Sequence, residues 1–140
     1  MTPEHGPHKL KHLELIQGVI NRLASNSFSI KQWTVMLVSA LFVLVARESS
    51  VPVWVALVPV TAFWGLDGYF LWQESRFRDL YVAVSRTDEG DITFSMKAVP
   101  KDPKNGEQKD RPYWRAVFSV TLFSFYGLFI ALIVAISSFF

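Results

Sequence analysis

Asp67 is the residue whose type and position most suggest chemistry, because it is the only ionisable side chain well inside an apolar block of the sequence. The apolar stretch Val51 to Gly65 precedes it, and the charged stretch Gln73 to Arg78 follows. A carboxylate in lipid is costly and indicates a functional site unless a partner satisfies it. Two interpretations remain open. Asp67 either bonds Lys31, a tryptophan indole or a serine near the interface, or lines the cation path or gate of an oligomeric pore.

Three histidines near the N-terminus are the other candidate ligands. His8 and His12 are four residues apart, and His5 precedes them. Zinc sites usually combine histidine with thiolates or carboxylates, and the chain has no cysteine and no carboxylate set beside these histidines. We therefore expect no metal and no cofactor.

Catalytic motifs are absent from the sequence. There is no glycine-rich phosphate loop, no HExxH, no nucleophile in a recognisable context and no pair of carboxylates at helical spacing within an apolar block. We expect neither an enzyme nor a nucleic-acid-binding protein.

The apolar residues occur in blocks, which indicates a lipid bilayer as the surrounding medium. The chain has 140 residues, of which 51% are hydrophobic and 15% aromatic, more than a small soluble domain can bury. We predict an all-α membrane protein with three transmembrane helices, an N-terminal amphipathic helix and a cytoplasmic extension of the second span. The predicted segments are an N-terminal tail with the amphipathic helix (1–27), a first span (28–46), a second span with its extension (51–84), a cytoplasmic loop with a possible short strand (85–113) and a third span (114–140).

Local patterns refine this division. Leu10, Leu13, Ile16, Ile20 and Leu23 follow helical spacing and predict a helix that packs on protein or lies on the lipid surface. The polar residues 25–32 either start a new helix or lie within one bent helix.

Two further patterns concern the second span and the loop after it. Pro59 predicts a kink in the second span. The alternation over 92–97 predicts a short strand or an extended segment.

Charge and tryptophan positions predict the orientation. Of the 14 Lys and Arg residues, only Arg47 lies in the turn between the first two spans, so the positive-inside rule assigns both basic segments to the cytoplasm. Trp33, Trp72 and Trp114 fall at the predicted cytoplasmic boundary and Trp54 near the outer one, as in an aromatic belt. We expect a cytoplasmic N-terminus and a C-terminus on the other side of the membrane, in the periplasm or its equivalent.

Small residues in the third span predict helix packing. Ser124, Gly127, Ala131 and Ala135 fall close to one stripe, and small side chains allow helices to approach closely. The partner is either the same chain or another subunit, and we expect a homo-oligomer. The basic residues beside the spans either attract anionic lipid or act only as a topology signal.

The second span and its extension resemble a known family. The segment Phe63 to Tyr81 contains the run Trp-x-Leu-Asp-x-Tyr-x-Leu-x-x-Glu-x-x-x-Arg-x-Leu-Tyr, and an amphipathic helix from His12 to Ala24 precedes it. Together they resemble the SLATT-like, two-transmembrane effectors of phage-defence systems. A third span and the loop before it go beyond the two-span plan. The resemblance implies an inner-membrane effector that assembles, disrupts the membrane or forms a pore, and stalls or kills an infected cell.

The leading hypothesis is therefore a small oligomeric inner-membrane protein that forms a pore or perturbs the membrane. A cytoplasmic signalling partner would trigger it through its cytoplasmic parts. The alternative is a non-catalytic structural or accessory subunit of a larger membrane complex. A membrane-embedded enzyme or ligand-binding protein that uses Asp67 and the nearby aromatic residues is the third hypothesis.

Overall fold

The structure is a computed structural model that describes residues 6–48, 50–98 and 110–138. These residues form helices and connecting segments, and no strand occurs among them. The helices are α1 (Pro7–Arg47), α2 (Leu57–Ser85), α3 (Tyr113–Val117) and α4 (Val120–Ser137), with 3-10 helices at Val53–Ala56 and Glu89–Asp91. Three helices are long and apolar enough to cross a membrane: α1, the helical stretch Val53–Ser85, and α4. The prediction of an all-helical chain with three candidate spans is confirmed at this level.

Helix α1 continues without a break through the polar residues 25–32. Its 41 residues correspond to about 60 Å at 1.5 Å per residue, about twice the thickness of a hydrocarbon layer. The side chains of Ser27, Ser29 and Lys31 bond within the helix or to Asp67, so they do not interrupt it. Ser29 donates to the carbonyl of Ser25 at 3.0 Å, and Lys31 donates to the hydroxyl of Ser27 at 2.9 Å. The amphipathic helix and the first candidate span are therefore one helix.

Helices α1 and α2 pack antiparallel and share two separate apolar clusters. One cluster is built by Leu13, Ile16, Ile20, Leu80 and Val84. It holds the N-terminal part of α1 against the C-terminal part of α2, and we call this pair (residues 7–24 and 73–85) the charged arm. The second cluster lies at the other end of the pair, which we call the apolar half, and it includes residues of α4. It contains Val38, Val53, Ala56, Val60, Leu122, Tyr126 and Ile133.

Pro59 does not lie in the middle of a helix. A 3-10 helix covers Val53–Ala56, and α2 begins at Leu57, so Pro59 falls in the first turn of α2. Pro59 thus lies next to the change from 3-10 helix to α-helix within the stretch Val53–Ser85. The predicted kink stays a prediction.

The third apolar block is divided into two helices. Phe118 leaves the helical conformation (φ −95°, ψ 23°), and Ser119 caps α4 by accepting from the N–H of Leu122 at 3.5 Å. The carbonyl of Val117 accepts the indole N–H of Trp64 at 2.9 Å instead of continuing a helical ladder. The single helix predicted over 114–140 is thus α3 followed by α4.

The segment after α2 lies against the start of α1. Residues 92–97 form no strand, because no described segment pairs with them, and Phe94 has a φ of 50°. The carbonyl of Ser95 lies 3.1 Å from Nε2 of His12. Of the other predictions, His5, the part of the loop over 99–109 and the last two residues of the third span lie outside the described residues.

Candidate functional site

Asp67 is fully buried and binds side chains from two other helices. Its Oδ1 atom accepts the hydroxyl of Ser27. Its Oδ2 atom accepts the ammonium group of Lys31 at 2.5 Å and the hydroxyl of Tyr126 at 3.1 Å. We call these four residues the polar cluster. It joins α1, α2 and α4 at one carboxylate.

The helices place these side chains by simple periodicity. Ser27 and Lys31 are four residues apart on α1 and therefore share one face, which α1 turns toward α2. Along both α1 and α2, the cluster falls between the two apolar clusters, so packing on either side fixes the distance between the helices. Asp67 is thirteen residues beyond Trp54 and five before Trp72, or about 20 Å and 7 Å along a helix.

The electrostatics of the cluster are those of a buried, fully bonded carboxylate. The side chain of Lys31 is 20% exposed, whereas that of Asp67 is completely shielded. Lys31 thus extends a flexible apolar stem from the edge of the cluster and carries its charge to the carboxylate. Removal of one charge would leave the other uncompensated, which is strongly destabilising in a buried site. Asp67 is therefore held firmly within one chain.

The structure decides part of the question about Asp67. It bonds Lys31 and a serine, two of the three kinds of partner expected at the interface. In this conformation both carboxylate oxygens of Asp67 are bonded within the chain. Its role as a pore or gate residue stays a prediction that requires these bonds to open.

Tyr126 is the member of the cluster that sequence analysis missed. It is fully buried, its hydroxyl also lies 3.3 Å from the carbonyl of Phe63, and its ring stacks on Trp64 with a centroid distance of 6.0 Å and an interplanar angle of 7°. It is the one tyrosine in α4, a helix that has no charged residue. A buried tyrosine hydroxyl needs a hydrogen-bond partner. A tyrosine within this apolar helix could therefore have indicated a polar partner on another helix.

The predicted packing stripe lies on the outer side of α4. Ser124, Ala131 and Ala135 are exposed and Gly127 is half-buried. A Cβ atom added to Gly127 would meet nothing within 4 Å. Helix α4 packs on the rest of the chain through Leu122, Tyr126 and Ile133 instead. The stripe therefore lies on a largely exposed face of α4.

The predicted tryptophan anchors separate into two kinds. Trp33, Trp54 and Trp114 are exposed, as an aromatic belt requires. Trp72 is half-buried, donates its indole N–H to the carbonyl of Arg111 at 2.5 Å, and lies under the guanidinium of Arg76 at 4.5 Å. Trp72 therefore also holds the segment that leads into α3.

The histidines do not assemble a metal site. Within residues 6–48, 50–98 and 110–138, no three metal-ligating side chains come together. His12 is almost completely buried, and its ring lies 5.3 Å from that of Phe94. It serves the contact between α1 and the segment that follows α2.

No protein-family model, no curated protein and no solved structure matches this chain.

Proposed function

We propose that this protein is a small, oligomeric protein of the bacterial inner membrane that forms a pore or perturbs the bilayer. A cytoplasmic signalling protein acts on the charged arm, and the polar cluster holds the resting state closed. The response belongs to bacterial defence, as the resemblance of Phe63 to Tyr81 to the SLATT-like effectors implies.

One observation carries this proposal. Helices α1 and α2 both run unbroken from the charged arm into the apolar half, and the polar cluster bonds them at the boundary between the two parts. Packed helices shift by discrete steps rather than by continuous deformation. A step of α1 along α2 in the arm therefore reaches Lys31 and Asp67 and breaks their ion pair.

The same observation supports Asp67 as the gate. Once Lys31 and Ser27 move away, the carboxylate loses two of its donors and becomes available to other partners. In a ring of subunits, such carboxylates form the negative lining that favours cations. The opened cluster thus converts a structural bond into an ion path.

Charge distribution supports the orientation. The charged arm carries five of the 14 Lys and Arg residues, whereas Arg47 is the one basic residue at the opposite end of the α1–α2 pair. Basic segments remain on the cytoplasmic side, which puts the arm where a cytoplasmic partner meets it. The exposed stripe on α4 supports self-association, because small residues let identical helices approach.

Dye release from vesicles tests the proposal. The full chain is reconstituted in vesicles loaded with a self-quenching dye, and wild type is compared with Asp67→Asn. The neutral amide cannot hold Lys31, so the closed state loses its ion pair. We expect release to rise about tenfold or more, since breaking a buried pair costs about 3–5 kcal/mol.

Asp88→Asn is the matched control, because it makes the same charge change at an exposed position beyond α2. It should release dye as slowly as wild type. Equal and negligible release from wild type and Asp67→Asn at every protein density would refute a pore or membrane-perturbing function.

A structural or accessory subunit of a larger membrane complex is the second candidate. It is favoured by the complete bonding of Asp67 within one chain, which suits a rigid component. In that case no variant conducts, and Gly127→Leu separates the protein from stoichiometric partners recovered after mild cross-linking.

A further inference from the structure

A cavity of about 440 Å³ lies between α2 and the corner where α3 meets α4. Three guanidinium groups, one indole and two hydroxyls line it, from Arg78, Arg111, Arg115, Trp72, Ser75 and Ser119. Arginine binds phosphate oxygens through paired N–H groups, and serine hydroxyls add single bonds. The lining thus has the donors that a phosphate group needs.

Glu74 also lines the cavity, and its carboxylate and that of Asp79, which lies outside the lining, are neutralised by two of these arginines. Arg78 donates from Nη2 to Oε1 of Glu74 at 2.6 Å. Arg111 donates from Nε and Nη2 to the two carboxylate oxygens of Asp79, each at 2.8 Å. Each guanidinium has five N–H donors, so both retain donors for a further acceptor.

Arg115 makes no ion pair with any residue that the structure describes. Three arginines against two carboxylates leave one positive charge at the cavity. The start of α4 also lies at the cavity, because Ser119, the N-cap of that helix, is one of the lining residues. The positive end of the helix dipole adds to the charge of Arg115.

The cavity lies at the level where a candidate span ends. Trp72, one of the predicted belt residues, lines it, and so does Ser119 immediately before the apolar helix α4. Leu71 and Ala116 add apolar side chains to the lining. Phospholipid phosphates lie at this level of a bilayer, just outside the hydrocarbon.

We propose that this cavity binds the phosphate of an anionic phospholipid headgroup, such as that of phosphatidylglycerol. Arg115 supplies the uncompensated charge, Arg78 and Arg111 supply further N–H donors, and Leu71 and Ala116 contact the lipid below its phosphate. The inference rests on the membrane insertion contained in the proposed function, but not on pore formation.

Native mass spectrometry of the full chain in detergent tests the inference without any measurement of leakage. Phosphatidylglycerol and the zwitterionic phosphatidylcholine are titrated separately, and apparent dissociation constants are compared. We expect wild type to prefer phosphatidylglycerol. Arg115→Gln should weaken that binding about fivefold, the effect of one arginine near an anionic surface. It should weaken phosphatidylcholine binding less, because the positive choline group offsets the charge of that lipid's phosphate.

Arg86→Gln is the matched control, because Arg86 is exposed just after α2 and does not line the cavity. Circular dichroism and gel filtration confirm that each variant is folded. Equal binding of the two lipids, or an equal loss of phosphatidylglycerol binding in Arg86→Gln and Arg115→Gln, would refute the site.

A competition experiment distinguishes a lipid ligand from a soluble phosphate compound. Glycerol phosphate is added as a competitor. Failure to displace phosphatidylglycerol at a hundredfold excess supports a lipid site. Displacement at equal concentration assigns the cavity to a soluble phosphate compound and overturns the lipid assignment.

Discussion

The hydroxyl of Tyr126 donates to Oδ2 of Asp67 across 3.1 Å, and the ammonium group of Lys31 reaches the same oxygen at 2.5 Å. One carboxylate oxygen therefore receives a neutral donor from α4 and a charged donor from α1. Both bonds end at a carboxylate, but only the bond from Lys31 joins two opposite charges, which makes it the stronger. The bond from Lys31 should accordingly dominate the energy of the cluster.

Lys31→Met should lower the free energy of unfolding by about 3 kcal/mol, because it leaves Asp67 buried without its counter-charge. Tyr126→Phe removes one neutral donor and keeps the stack on Trp64, so it should cost only about 1 kcal/mol. Unfolding in mixed micelles with increasing dodecyl sulfate, followed by circular dichroism, measures both.

The double variant Lys31→Met/Asp67→Leu serves as the control for charge. Replacing both partners of a buried pair by apolar groups is often nearly neutral, so the double variant should regain most of the stability. A double variant as unstable as Lys31→Met would contradict an energetic role of the ion pair.

Gly68→Ala should loosen the packing of α3 on α2. A Cβ atom at Gly68 would lie 2.7 Å from Cγ2 and 3.2 Å from Cα of Val117, so α3 must shift. Overpacking of this kind costs about 1–3 kcal/mol. The same unfolding titration measures the loss.

Gly65→Ala is its matched control, since a Cβ atom there meets only the hydroxyl of Tyr113, at 3.8 Å. Alanine favours the helix over glycine by about 1 kcal/mol, so this variant should be as stable as wild type or more so. Equal losses at the two glycines would show that the contact with Val117 is unimportant.

Glu89→Ala should make the first turn of α1 open more often. The carboxylate of Glu89 accepts the backbone N–H groups of His8 at 3.0 Å and Lys9 at 3.2 Å, and thus caps the helix from a distant segment. Loss of a cap costs about 1 kcal/mol, or about fivefold faster local opening. Hydrogen exchange at these two amides measures it. Asp91→Ala, exposed in the same 3-10 helix, should leave both rates unchanged.

Gly127→Leu should prevent self-association without unfolding the chain, because nothing lies within 4 Å of an added Cβ atom. Gel filtration with light scattering in detergent gives the subunit number. Leu132→Phe, an enlargement at an exposed position of α4 beside the stripe, should preserve the oligomer. A monomeric wild type would remove the basis of this prediction.

The sequence predicted the three candidate spans because apolar blocks of this length leave few alternatives. The pair Glu74–Arg78, with a distance of 2.6 Å, also follows from local spacing, since residues four apart on a helix are neighbours. These features depend only on composition and on local spacing.

Most features that depend on contacts distant in sequence were missed, although the bond between Asp67 and Lys31 was among the interpretations left open. The indole N–H of Trp64 donates to the carbonyl of Val117. No local pattern at Val117 shows that α3 ends there. Glu89 caps a helix that starts eighty residues earlier in the chain. The alternation over 92–97 is typical of a strand, but a strand needs a partner, and none lies among the described residues.

Lys31, Asp67 and Tyr126 lie in α1, α2 and α4, and the chain is synthesised in that order. The lysine is made first and has no counter-charge until the aspartate follows. The phenol of Tyr126 comes last and adds the remaining donor to the carboxylate. A chain that ended before α4 would therefore contain both members of the ion pair but lack the tyrosine hydroxyl that completes the cluster.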